Sequence, residues 1–184
     1  MSPARPPSAL LVLDMFSTFE FPGGRALHEQ ASLVVEAIRA LCQQFRAAGR
    51  PVIFVNDNFQ RWQDSFDGLL AYVEDSGPEG AAMVAALRPQ RQDFKLLKPK
   101  HSAFFETSLA SLLSYLRIGQ VVVCGLATDS CVLSTVMDAR IREFGVTVPA
   151  DTTASQTNER TARTLTHLRE SCAVETPASA GMAL

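Results

Sequence analysis

Short runs of apolar residues, each closed by a polar side chain and followed by a stretch of helical periodicity, recur along this chain. In the first, Ser8–Leu13, the serine leads into an unbroken ALLVL and Asp14 ends it. A strand that is apolar at every position, rather than at every second one, must be covered on both faces, as strands inside a parallel sheet are. Residues 51–56 (PVIFVN), the more polar 93–98 (DFKLLK), 120–124 (QVVVC) and 146–150, ended by Asp151, read the same way, and 172–175 is a candidate sixth strand. Residues 26–48 place Leu27, Leu33, Val34, Ala37, Ile38, Leu41 and Phe45 at helical spacing and stop at Gly49. Residues 81–87, 108–118, 131–144 and 158–169 read as further helices. This alternation predicts an α/β fold: one Rossmann-like three-layer α/β/α domain spanning the 184 residues, with a six-stranded, mainly parallel sheet. The ends, 1–7 and 177–184, rich in proline or small residues, are expected to fray.

In such sheets ligands bind beyond the carboxyl ends of the strands. That edge gathers Asp14, Asn56, Asp57, Lys98 and the turn 125–130, with Cys131 at the start of the helix behind it. A helix N-terminus carries partial positive charge and free N–H groups, which favour a thiolate and can hold an oxyanion. Lys98 adds a full positive charge and Asp14 can move a proton, so base, cation and thiol meet as they do around an activated nucleophile. Taken singly, each also has a plain reading: a buried inert thiol, a loop cap, a solvated lysine. Cys42, Cys124 and Cys172 lack such neighbours, and the four scattered thiols have no paired metal-ligand spacing. The start carries no signal-peptide h-region, so reduced thiols and a cytoplasmic location are expected. A net charge of −2 without a basic, aromatic-interleaved stripe argues against nucleic acid. No apolar run reaches the roughly 18 residues a membrane span needs.

The segment CGLATDSCVLSTVMDA (124–139) resembles the signature of the isochorismatase-like cysteine hydrolases, a family that includes nicotinamidases, N-carbamoylsarcosine amidase and ureidoacrylate amidohydrolases. LVLDMFSTFEFPGG (11–24) resembles the family's first strand, which ends in the catalytic Asp, KPKHSAFFETSL (98–109) its catalytic-Lys segment, and VPADTTASQT (148–157) its fifth strand and loop, in the family's order. The resemblance implies that Asp14 is the general base, Lys98 the cation beside the thiolate and Cys131 the nucleophile. Lys100 competes with Lys98, but the spacing to Ser102, Ala103 and Phe104 favours Lys98. It also implies a cis peptide between Leu126 and Ala127 that aims the N–H of Ala127, with that of Cys131, at an oxyanion. Asp14 would take the thiol proton, return it to the leaving amine, and then activate the water that cleaves a thioester. Phe19 matches a family aromatic that packs on substrate, and Trp62, Asn56 and Asp57 are candidates for further contacts. A homo-oligomer, dimer or tetramer, is expected.

Nicotinamidases of this family hold a metal with an Asp and several His. Here Asp57 stands at the Asp position, but Phe59 occupies the place of the His, and none of His28, His101 and His167 falls within 56–66. No metal and no cofactor are therefore expected. Phe16 stands where many relatives place Gln. Isochorismatases, which cleave a vinyl ether, do not need the cysteine, so Cys131 favours C–N chemistry. The expected activity is a metal-independent cysteine hydrolase acting on a small amide, carbamoyl or ureido compound. The alternatives are a vinyl-ether hydrolase or a non-catalytic binding protein on the same fold.

Overall fold

The computed structural model describes residues 6–182. In chain order the elements are β1 (Ser8–Leu13), α1 (Gly24–Ala47), β2 (Val52–Asp57), α2 (Phe66–Asp75), α3 (Pro78–Leu87), β3 (Phe94–Lys98), α4 (Leu109–Tyr115) and β4 (Gln120–Leu126). A π-helical turn (Thr128–Val132) then runs into α5 (Leu133–Ile141), followed by β5 (Gly145–Thr147), a 3-10 turn (Ala150–Thr152), β6 (Thr153–Ala154) and α6 (Asn158–Cys172). The sheet has six strands in the order β3-β2-β1-β4-β5, with β6 paired to the end of β4, and each of these pairings is parallel. The α/β architecture expected from the alternation of strands and helices is the one observed.

Strand β1 explains why the sheet is covered twice. Its side chains alternate in direction. Leu10 and Val12 join one core with buried residues of α1, α2 and α3, including Ile38, Phe45, Leu69 and Val84. Ala9, Leu11 and Leu13 join a second core with Leu113, Val136 and Leu168 of α4, α5 and α6. Three helices thus lie on each face, and every residue of β1 is buried.

Two strand expectations need correction. The fifth strand stops at Thr147, because Pro149 has no N–H for a sheet ladder and its backbone begins a 3-10 turn. The sixth strand is Thr153–Ala154 rather than 172–175: Cys172 ends α6, and only Glu175 makes a bridge, to Thr147. The tail is tied to the domain by Asp151, whose carboxylate accepts from Ser179 N (2.8 Å) and Ser179 Oγ (2.7 Å). Residues 1–5 and 183–184 of the expected frayed ends lie outside the described residues. No helix among the described residues is long and apolar enough to cross a membrane.

Candidate active site

The chain leaves β1 for β2 and β3 on one side of the sheet, and β4 leads to β5 on the other. The crevice between the carboxyl ends of β1 and β4 is therefore the switch point where ligands bind in such sheets. Asp14 follows β1 there in the left-handed region (φ 51), a conformation in which Asp is among the better-tolerated residues. Its N–H still donates to Val55 O (3.1 Å), while its Oδ1 accepts from the N–H of Asp57 at the end of β2 (2.7 Å). Gly125 makes the approach of β4 possible. A Cβ there would lie 2.1 Å from Leu13 O, and its φ is +105.

Lys98 ends β3, in register with Asp57, and reaches past β2 towards β1. Its side chain is completely buried, with Nζ 2.9 Å from Asp14 Oδ2, 3.0 Å from Lys100 O, 3.4 Å from Cys131 Sγ and 3.8 Å from Asp57 Oδ2. Burial alone would lower the ammonium's pKa, but the charges of Asp14, Cys131 and Asp57 outweigh it and hold it above its ordinary value. Burial pushes the Asp14 carboxyl up, against the pull of Lys98. Asp14 Oδ2 is enclosed and lacks an aligned hydrogen bond among the described residues, so it retains lone-pair capacity to take a proton.

Cys131 sits in the π turn, not at an ordinary helix start. Its thiol is pushed from 9.0 up to about 12, by burial first and then by the charge of Asp14, with Lys98 pulling the other way. The helix start and the cation, which favour a thiolate, do not offset desolvation beside a carboxylate, so the thiol's pKa is raised rather than lowered. The expected cis bond between Leu126 and Ala127 is likewise absent. The described peptide bonds are trans, and the reversal is made by Gly125 and the π turn, with Ala127 extended (φ −90, ψ 145). The turn is pinned by Thr128 and Asp129. Thr128 Oγ1 lies 2.8 Å from Thr153 Oγ1, which donates to Gly125 O (2.8 Å). Asp129 accepts from Ser155 Oγ and Arg160 Nε at 2.6 Å each. Burial would raise the Asp129 carboxyl, but these two donors prevail and lower it.

A cavity of ≈330 Å³ opens over Cys131, lined also by Asp14, Asp57, Leu126, Ala127 and Phe19. Phe19 is therefore at the site, held at φ 57, where a bulky residue is uncommon. Asn56 is not. It is buried with its amide committed to Phe16, accepting from Phe16 N (3.0 Å) and donating to Phe16 O (2.9 Å), so it shapes the wall without facing substrate. Trp62 is 73% exposed and lines an adjoining groove instead. Residues missed from the sequence are Phe59, His101, Gln156 and Arg160, which all line the cavity. His101 was legible as part of the lysine loop, but nothing in the sequence placed it 3.7 Å from Cys131 Sγ. Asp57 is the carboxylate at the position where nicotinamidases gather metal ligands. It caps Phe59 N (2.7 Å), Phe59 offers no donor, and no group of three or more His, Cys, Asp or Glu able to hold a metal occurs among the described residues. This donor set does not fit a metal ion.

The profile of the isochorismatase domain matches residues 8–179. The chain is 35% identical over 151 residues to an uncharacterized isochorismatase family protein, YaaI, of Bacillus subtilis, covering 82% of each chain. It is 28% identical over 195 residues to the ureidoacrylate amidohydrolase RutB of Caulobacter segnis, covering 83% of this chain and 78% of the other. The crystal structure of N-carbamoylsarcosine amidase from Thermoplasma acidophilum superposes with a TM-score of 0.73 at 25% identity, covering 97% and 99% of the two chains. From the ends of its strands to its sequence as a whole, the chain belongs to the isochorismatase family of hydrolases.

Proposed function

We propose that this protein is a metal-independent cysteine hydrolase that cleaves the C–N bond of a small amide, carbamoyl or ureido compound through a thioester on Cys131. The observation that carries this is the buried Lys98 ammonium, 2.9 Å from Asp14 and 3.4 Å from Cys131 at the floor of a substrate-sized cavity. The amidohydrolase and amidase among its relatives act on ureido and carbamoyl compounds by name, which supports the same bond class here. A retained thiol beside base and cation favours acyl transfer over vinyl-ether hydrolysis, which has no use for a nucleophilic sulfur.

The chemistry follows from charge. At rest the site holds a carboxylate, an ammonium and a neutral thiol. When the thiol proton moves to Asp14, the site holds a neutral acid, the ammonium and a thiolate, and its total charge is unchanged. The transfer therefore adds no net charge to a buried site, where an unpaired ion would be costly. Cys131 attacks the carbonyl, and the N–H of Cys131 in the π turn receives the oxyanion. Asp14 then gives its proton to the departing nitrogen. The test is ammonia release from a panel of primary amides, carbamoyl and ureido compounds by the wild type and Cys131→Ala. Release is expected from at least one compound and should fall by at least about 10³-fold in the variant. Undiminished release by Cys131→Ala would refute the nucleophile.

A further inference from the structure

Three of the four cysteines have a place in the cavity or the core. Cys131 lines the cavity, while Cys42 and Cys124 are buried, and burial pushes the Cys42 thiol up to about 12 and the Cys124 thiol well above its ordinary value. The fourth, Cys172, ends α6 half-buried at the surface, and two other metal-ligating side chains converge on it. Its Sγ lies 3.6 Å from Sδ of Met137 on α5 and 3.7 Å from Nε2 of His167 on α6. None of the three lines the cavity over Cys131.

The spacing is that of a ligand set. A metal ion about 2.3 Å from each sulfur and about 2.0 Å from a ring nitrogen holds its donors about 3.5–4.0 Å apart at trigonal or tetrahedral angles. Both separations from Cys172 fall in that span, and the unbranched methionine can rotate to close the third edge. Met137 is 40% exposed and His167 lies at the surface, so an ion has a path of entry. The donors also select. No Asp or Glu completes a group of three with Cys172 and His167 among the described residues. Hard, oxygen-seeking cations are therefore poorly served, and zinc, which takes Cys, His and carboxylate, gains little from a thioether. Thiolate and thioether together favour copper(I), and imidazole suits copper as well.

We propose that Cys172, Met137 and His167 form a binding site for copper(I). The thiol proton passes to solvent as the Cu–S bond forms, while Nε2 of His167 and Sδ of Met137 each give a lone pair, and the copper is neither oxidised nor reduced. The ion joins α5, which continues from the turn carrying Cys131, to α6, whose Arg160 pins Asp129 in that turn. It stabilises the folded chain by binding it, without touching the reacting atoms.

The experiment titrates the whole protein, reduced and free of oxygen, with copper(I) against bathocuproine disulfonate, whose coloured complex reports the copper it keeps. The wild type is expected to take up one equivalent and to melt at a higher temperature with it. Met137→Leu, which preserves all four thiols, and His167→Gln should each weaken the uptake at least about tenfold, and Cys172→Ala should abolish it. X-ray absorption by the bound copper should show sulfur and nitrogen neighbours, with fewer sulfurs in Met137→Leu. Undiminished uptake by Met137→Leu, zinc bound as tightly as copper(I), or copper lost only with Cys131→Ala would overturn the site.

Discussion

The floor and the rim of the cavity are built by different means. At the floor, Lys98 ends β3 while Asp14 and Cys131 come just after β1 and β4, strands whose register is fixed by the sheet, and the Lys98 side chain is wholly buried. At the rim, Phe59, Trp62 and Phe105 stand on loops as large apolar side chains at 38%, 73% and 49% exposure. Strand ends cannot shift singly without breaking ladder hydrogen bonds, whereas loops can vary at small cost. The floor should therefore set the type of bond attacked, and the rim the molecule that carries it.

The largest test of this contrast removes the floor's cation. Lys98→Met leaves the Asp14 carboxyl buried without its partner, and breaking such a pair costs about 3–5 kcal/mol. We expect that loss in urea melts, together with hydrolysis reduced to background. Lys100→Met, two residues away and exposed, should shift stability by less than about 0.5 kcal/mol. Comparable losses in the two variants would erase the distinction between the buried and exposed lysines.

The protonation state of the floor comes next. With the thiol raised to about 12, the folded enzyme holds Cys131 neutral at pH 7, and the thiolate fraction grows as pH rises towards that value. Alkylation of Cys131 by iodoacetamide in the absence of substrate should be slow at pH 7. It should rise about tenfold per pH unit above neutrality until it levels near the thiol's own pKa. A plateau already reached at pH 7 would mean that the resting site holds a thiolate.

The same division explains what was legible in the sequence. Asp14 and Lys98 are visible as polar stops on apolar runs and Cys131 as the start of the helix after the fourth run, but their roles were implied only by the resemblance to the family's motifs. Asn56 looked alike, a polar residue closing an apolar run, yet its amide turned inwards onto Phe16, and no periodicity distinguishes the two directions. The two-residue β6 was hidden because Thr153 pairs through backbone and hydroxyl with Gly125 and through its hydroxyl with Thr128, contacts between segments 25 or more residues apart. The Asp129–Ser155–Arg160 cluster was illegible for the same reason. The thiol's protonation also escaped, since a helix start is a local feature and desolvation is a property of the finished fold.

Between floor and rim stands the Asn56 clamp. Asn56→Ala frees the N–H and C=O of Phe16 in a buried place, so a loss of about 1–3 kcal/mol is expected in thermal or urea unfolding. Because Phe16 precedes the segment that carries Phe19, KM should rise while kcat falls less. A change in kcat alone would mean that Asn56 acts on the floor, contrary to the wall-shaping role its bonds assign.

Trp62 gives the smallest expected effect and the finest test of the rim. Its indole is mostly in solvent and lines the adjoining groove, not the cavity over Cys131. Trp62→Ala should therefore change stability by no more than about 0.5 kcal/mol. For a compound small enough to fill only the ≈330 Å³ cavity, kcat/KM should be unaltered. Larger compounds reaching past Phe59, whose ring is common to cavity and groove, should lose affinity in the variant while kcat holds. If the variant instead lowered kcat on the smallest compounds, the exposed aromatic would be coupled to the strand-end chemistry, and the separation of bond type from substrate shape would fail.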